Sequence, residues 1–319
     1  MPPGAGILAG MRYGSRRLAD VLLSTALLIG LLPSVLAGEA TPPPTMAEVL
    51  AATAATDWRP LDSTHTLYLD LGVGRVVILL APEFAPHHVE NIRRLVAQRY
   101  FDGLAVVRSQ ENYVVQWADP AGEGEPRRSL GDAATALAAE FDRPRGSLSI
   151  TPLPDGDVYA PEVGFSRELP VAHDPSSGRA WLAHCYGMVG VGRDISPDSG
   201  SGAEMYVVIG HSPRHLDRNV TLVGRVVEGM EHLSTLPRGH AGLGFYEDPA
   251  MYVPVRSIRL GSDLPEEERA GLELLRTDTA AFEALIEARR NRREEWFADP
   301  TGRIELCNVP LPVRAREIG

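Results

Sequence analysis

The stretch Tyr100-Phe-Asp-Gly-Leu-Ala-Val-Val-Arg-Ser-Gln-Glu-Asn-Tyr-Val-Val-Gln-Trp-Ala-Asp119 sets the terms for the whole chain. Asp102-Gly103 is a turn signal, and the apolar run Leu104 to Val107 has the length of a short strand. Arg108 interrupts that run. Five residues later Tyr113-Val114-Val115 opens a second run, which closes at Gln116. A guanidinium and a carboxamide flanking an aromatic, in two strand-like runs, predict a polar corner beside a hydrophobic pocket.

On the N-terminal side, Leu67, Leu69 and Leu71 alternate with Tyr68 and Asp70, as in a half-buried strand. Gly72-Val73-Gly74 turns the chain into Arg75 to Leu80, completing a hairpin that Pro82 ends. Val89, Ile92, Leu95 and Val96 then recur at helical spacing, which predicts a helix over 85–98. His87-His88 begins that helix with no further ligand pattern and reads as a solvated face rather than a metal site.

On the C-terminal side, residues 120–183 are irregular. Ala133 to Glu140 has room for a helical turn or two, Arg145 to Thr151 reads as a strand, and Leu153 to Ala180 reads as a large Pro-, Gly- and Asp-containing loop. Tyr252 to Leu260 alternates Val253, Val255, Ile258 and Leu260 as a closing strand, with Pro254 arguing for an edge. Beyond it, Asp263-Leu-Pro-Glu-Glu-Glu is a strong helix start. Leu272, Leu275, Phe282, Leu285 and Ile286 extend an apolar stripe toward Trp296, with a break available at Thr277-Asp278-Thr279. Arg289-Arg290 and Arg292-Arg293 near its end read as a solvated face matched to the helix dipole.

Periodicity alone therefore supports a mainly β chain with a few helices. The order of its motifs goes further, because it resembles the cyclophilin family of peptidyl-prolyl isomerases. A strand hairpin is followed by a helix with Asn91 in its middle, then Tyr/Phe-x-Gly, a strand carrying Arg, and aromatic-x-x-Gln. The pattern resumes at Tyr186-Gly-Met-Val-Gly-Val-Gly192 and Ala203-Glu-Met-Tyr-Val-Val-Ile209. It closes on Leu216-Asp217, Val223-Gly224-x-Val226 and Gly229-Met230, the most specific part of the match.

The resemblance implies a closed antiparallel eight-stranded barrel capped by two helices, over 66–261 with a long insertion at about 120–183. Residues 38–65 would be a linker and short helix, and 262–319 a helical C-terminal extension. It also implies an isomerase of X-Pro bonds in proline-containing polypeptide clients, working without metal or cofactor. Arg108 falls on the family's catalytic arginine and Gln116 on its active-site glutamine. Tyr113, Val114, Met205, Tyr206 and Leu216 fall on pocket positions. His215 stands where eukaryotic members carry a tryptophan, and Val220 where the family has a His or a large ring. Glu204 replaces a glutamine, and a carboxylate there is placed to pair with Arg108, position it, or compete for its donors. These altered positions also motivate an alternative, a weakly catalytic or non-catalytic chaperone module using the same pocket.

The bulk numbers argue against some partner classes. The chain has 319 residues, net charge −11, 42 acidic residues and 31 basic ones, all Arg. Without a basic stripe, nucleic-acid binding is disfavoured, and without GxGxxG or any Lys a phosphate-binding loop has no support. Arg12, Arg16 and Arg17 precede the apolar run Val21 to Leu32, and Val35-Leu36-Ala37 before Gly38 matches a small-residue cleavage site. Residues 1–37 are thus expected to be a signal peptide that sends the chain to the periplasm. The run is short for a span of roughly 20 residues, so no stable membrane insertion is expected after cleavage. Cys185 and Cys307 would then be either a disulfide or two buried thiols.

Overall fold

Nine antiparallel strands form the main sheet of the computed structural model, which describes residues 44–121 and 124–316. Numbered within this sheet, they are β1 Thr66–Asp70, β2 Arg75–Leu80, β3 Ala105–Ser109, β4 Val114–Ala118 and β5 Met188–Val191, followed by β6 Met205–Val208, β7 Leu222–Glu228, β8 Val253–Pro254 and β9 Ser257–Leu260. Their order across the sheet is β8-β3-β4-β6-β5-β7-β2-β1-β9. The sheet curls around a core of Leu67, Leu69, Ile78, Val106, Val115, Trp117 and Val189.

The expected closed eight-stranded barrel is replaced by this open nine-stranded, curled sheet. The single closing strand expected over 252–260 is split. Pro254 has no N–H to give the ladder, so β8 stops after two residues. Val255 then bonds the backbone of Gly103 and Leu104, and the Arg256 N–H turns to Asp70, before β9 resumes pairing with β1.

Two helices pack on the sheet as expected, α2 Pro86–Ala97 and α3 Met230–Ser234; another short one, α1 Met46–Ala51, precedes them. Thr45 caps α1 in a reciprocal capping box with Glu48. The apolar face of α2 buries Val89, Ile92, Leu95 and Val96, each worth roughly 1.5–3 kcal/mol of transfer free energy. His88 corrects the expectation of a solvated pair. It is buried, with Nδ1 2.7 Å from Glu140, whose carboxylate also accepts the backbone N–H groups of His87 and His88. The insertion thus caps this helix with a side chain that sequence neighbours could not supply. Ala133 to Glu140, a candidate helical turn, contains no helix.

Half of the supposed loop over 153–180 is strand. Strands Arg143–Pro144, Arg179–Leu182, Leu169–Asp174, Glu162–Ser166 and Thr151–Leu153 pair in that order, all antiparallel. One hairpin turns on only Arg167-Glu168, both left-handed at φ 47° and 60°. Such turns are normally signalled by Asn-Gly or Asp-Gly, and that signal is missing here.

The C-terminal extension is likewise not one long helix. After two 3-10 turns, Leu272–Leu275 is a strand between Trp58–Pro60 and Val313–Ala315, so part of the supposed linker joins the tail in a small sheet. Among the extension's described residues only Ala280–Arg290, here α4, is α-helical, and Thr279 caps it. Phe282, Leu285 and Ile286 of α4 join Val49, Phe165 and Trp181 in a second core. Val114, Tyr206 and Leu222 from the outer face of the main sheet complete that core.

Cys185 and Cys307 are disulfide-bonded, 122 residues apart. In the loop-entropy account a closure of this length is worth about 4–5 kcal/mol. Among the described residues no helix is long and apolar enough to cross a membrane. The expected signal segment lies outside the described residues.

Candidate active site

The outer face of the main sheet carries a cavity of about 550 Å³. Beneath it a row of paired residues runs across four strands: Arg108 of β3, Gln116 of β4, Tyr206 of β6 and Gly190 of β5. Alternation would turn Arg108 inward, since Val106 two residues earlier is in the core. A bulge at Val107 adds one residue to β3, which brings Arg108 opposite Gln116 and onto the outer face. Gly190 makes room for the Tyr206 ring and does not itself line the cavity. A Cβ there would sit 2.2 Å from the Tyr206 ring, which lies across the glycine.

Arg108 is tightly held. Nη1 donates to Gln116 Oε1 at 3.1 Å, Nη2 to Gln110 Oε1, and Nε to the Leu243 carbonyl at 2.6 Å. The rings of Tyr113 and Phe245 lie 5.6 and 5.4 Å from the guanidinium carbon. A guanidinium has five N–H groups and three are engaged, which leaves two for a ligand. Burial pulls its pKa below the ordinary value, while Tyr113 and Tyr206 push the other way.

Glu204 does not bond Arg108. Its Oε2 accepts from Gln116 Nε2 at 3.2 Å. An acceptor-only carboxylate on that side orients the amide so that Oε1 faces Arg108. Burial raises the Glu204 pKa above its ordinary 4.5, against the pull of Arg127 and of the Gln116 hydrogen bond. As pH falls through that raised pKa the carboxylate protonates and its hold on the amide weakens. A fall in kcat/KM of roughly two- to tenfold is expected, the worth of one net hydrogen bond. A pH–rate profile of Glu204→Gln that keeps this acid limb would show another group to be responsible.

Tyr206 is anchored from beneath. His184 Nε2 lies 2.9 Å from its hydroxyl, and His184 Nδ1 lies 2.9 Å from Asp217 Oδ1. Asp217 Oδ2 accepts from Arg214 Nε at 2.6 Å, and Arg214 reaches Asp157 of the insertion at 2.8 and 3.1 Å. Burial holds His184 below its ordinary pKa. In the neutral ring this network implies, Nδ1–H donates to Asp217 and Nε2 accepts from Tyr206.

Of the residues singled out from sequence, Arg108, Tyr113, Val114, Gln116, Glu204, Tyr206, Leu216 and Val220 line this one cavity. Met205 does not. It alternates with Glu204 and Tyr206, pairs with Trp117 and points into the core, 1% exposed. His215 is exposed and stacks on Tyr113 with ring centroids 6.4 Å apart, so it braces a wall without lining the cavity. Sequence reasoning missed Gln110, Leu243, Phe245 and the His184–Asp217 pair. Gln110 was within reach, two residues from Arg108; the others lie far along the chain in no periodic pattern.

Three comparisons bear on this geometry. Residues 66–259 match the family described as cyclophilin type peptidyl-prolyl cis-trans isomerase/CLD. A probable peptidyl-prolyl cis-trans isomerase of Brucella suis is 26% identical over 178 residues, 56% of this chain and 74% of the relative. Peptidyl-prolyl cis-trans isomerase-like 3 of Mus musculus is 26% identical over 174 residues, 54% and 81% of the two chains. The crystal structure of cyclophilin AquaCyp293 from Hirschia baltica superposes with a TM-score of 0.63 and 26% identity. That superposition covers 86% of this chain and 98% of the other, reaching past the family match itself. With its family match spanning well over half its length, and an Arg–Gln–Tyr row at the foot of its cavity, the chain belongs to the cyclophilin-type peptidyl-prolyl cis-trans isomerases.

Proposed function

We propose that this isomerase acts on X-Pro bonds of polypeptide clients outside the cytoplasm, with Arg108 as the group that lowers the barrier. Rotation must pass a twisted amide, against a barrier of roughly 18–20 kcal/mol. Twisting removes resonance and localises a lone pair on the prolyl nitrogen. A donor aimed at that nitrogen stabilises the twisted state more than either planar isomer, which is the condition for catalysis. The observation that carries this reading is that Arg108 lines the cavity with two N–H groups uncommitted, clamped by Gln116 and Gln110. Tyr113, Val114, Tyr206 and Leu216 offer the apolar surface for the pyrrolidine ring. A protease-coupled assay on proline peptides tests it: the protein must exceed the buffer rate, and Arg108→Ala must fall well below the wild-type rate.

Export is supported by the n-region, apolar run and Ala37-Gly38 site in the sequence, and by the Cys185–Cys307 disulfide, which persists in oxidising compartments. N-terminal sequencing of the protein from a fractionated bacterial host should return Gly38 in the periplasmic fraction. An uncleaved N-terminus in the cytosol would sink this part of the proposal.

A further inference from the structure

The segment 237–247, between α3 and β8, closes one end of the cavity. It runs beside β3, with a single bridge between Arg108 and Phe245. The Gly239 N–H donates to the Ser109 carbonyl and the Tyr246 N–H to the Val107 carbonyl, both at 2.9 Å. The Tyr246 hydroxyl donates to the Pro237 carbonyl at 2.7 Å and ties the segment to its own start.

At the tip Leu243 is left-handed, φ 60°, a conformation that costs a residue with a large side chain. Gly244 follows at φ 77°, where a Cβ would lie 2.5 Å from the Gln110 Cα. These two residues aim the Leu243 carbonyl at Arg108 Nε and bring Phe245 against the guanidinium. The Leu243 side chain remains 67% exposed at the cavity rim. The two ends of the cavity therefore differ in chemistry. Leu243 and Phe245 make the Arg108 end apolar, while Glu204, Arg193 and Asp194 make the Gln116 end polar and charged.

We propose that Phe245 and the Leu243 carbonyl are positioning elements for Arg108, and that the Leu243 side chain selects clients with a large apolar residue beside the proline. This rests on Arg108 acting as the donor. A bound peptide crossing the Arg108–Gln116 row must pass under Leu243 on one side of its proline, where an apolar neighbour covers the exposed leucine and a small one leaves it wet.

The test is kcat and KM for proline peptides carrying Ala, Leu or Phe immediately before or after the proline. The protein should prefer Leu or Phe over Ala at one of those positions by about tenfold, the scale of one modest apolar contact. Leu243→Gly, which suits the left-handed backbone, should bring that ratio to within about twofold. Phe245→Leu should lower kcat for every peptide by about tenfold with KM nearly unchanged, and Phe245→Tyr should restore it, as an aromatic face over a guanidinium requires. An unchanged ratio in Leu243→Gly would overturn the selection, and so would a wild-type protein with no preference. Full turnover in Phe245→Leu, or a Tyr variant no better than Leu, would overturn the positioning role. A wild-type rate equal to buffer is a different result: it would remove the assignment of the site, and this proposal with it.

Discussion

Arg108→Ala is expected to lower kcat/KM for a proline peptide by about 10²–10³, the usual cost of removing one preorganised donor to charge that develops in the transition state. The loss should fall on kcat rather than KM, because the lone pair it serves is localised only in the twisted amide. Arg108→Lys should recover little. An ammonium lacks the planar fork that lets the guanidinium hold Leu243, Gln116 and Gln110 and still present free N–H groups. Stopped-flow protease-coupled kinetics at low temperature would measure this, with circular dichroism to confirm folding. A lysine variant with wild-type turnover would show that charge alone suffices.

The second large effect is structural. Asp217 accepts from His184, both ring nitrogen and backbone, and from Arg214, all three buried. Asp217→Ala should cost about 3–5 kcal/mol, because it leaves a buried cation and an imidazole short of their acceptor. A urea midpoint close to wild type would refute this. The pH dependence has a definite sign. Burial holds His184 below its ordinary 6.5, so the unfolded chain takes up that proton first and stability falls as pH drops below about 6.5. Asp217 is pushed up by burial, but its bonds from His184 and Arg214 win and leave it below its ordinary 3.8. Its contribution is therefore present above 3.8 and lost as pH falls through the depressed value. Replacing Asp217 should flatten the part of this limb below 3.8 and steepen the part below about 6.5, because Asp217 holds the His184 pKa up against burial. Because Tyr206 rests on His184, the variant should also loosen the cavity floor and raise KM.

The residues easiest to read from sequence were those whose neighbours decide their environment. The stripe of Leu67, Leu69 and Leu71 and the helical stripe of α2 depend on periodicity, and both lie in the core as the pattern predicts, although Tyr68 on the other face of that strand is buried as well. The insertion was harder, because its tightest hairpin turns on Arg167-Glu168, whose left-handed backbone is stabilised by surroundings rather than by residue type. Glu168 is 2% exposed and its N–H donates to Thr277, over a hundred residues away. The acidic helix start at Asp263 was overruled for a similar reason, since Leu272–Leu275 finds strand partners at Trp58–Pro60 and Val313–Ala315.

For the stretch from Tyr100 to Asp119, sequence by itself determined the chemistry: a guanidinium, an aromatic and a carboxamide in two strands joined by a short turn. Only the tertiary structure decided that they act on one cavity. The bulge at Val107 is an extra residue in a ladder, visible only against the partner strand, and it alone turns Arg108 out of the core. The Gln116 amide is oriented by Glu204, 88 residues downstream, and the guanidinium is clamped by the Leu243 carbonyl, 135 residues downstream. Spacing along a chain reports side chains that share a strand or helix face, whereas a donor's aim is set by acceptors brought in from elsewhere in the fold.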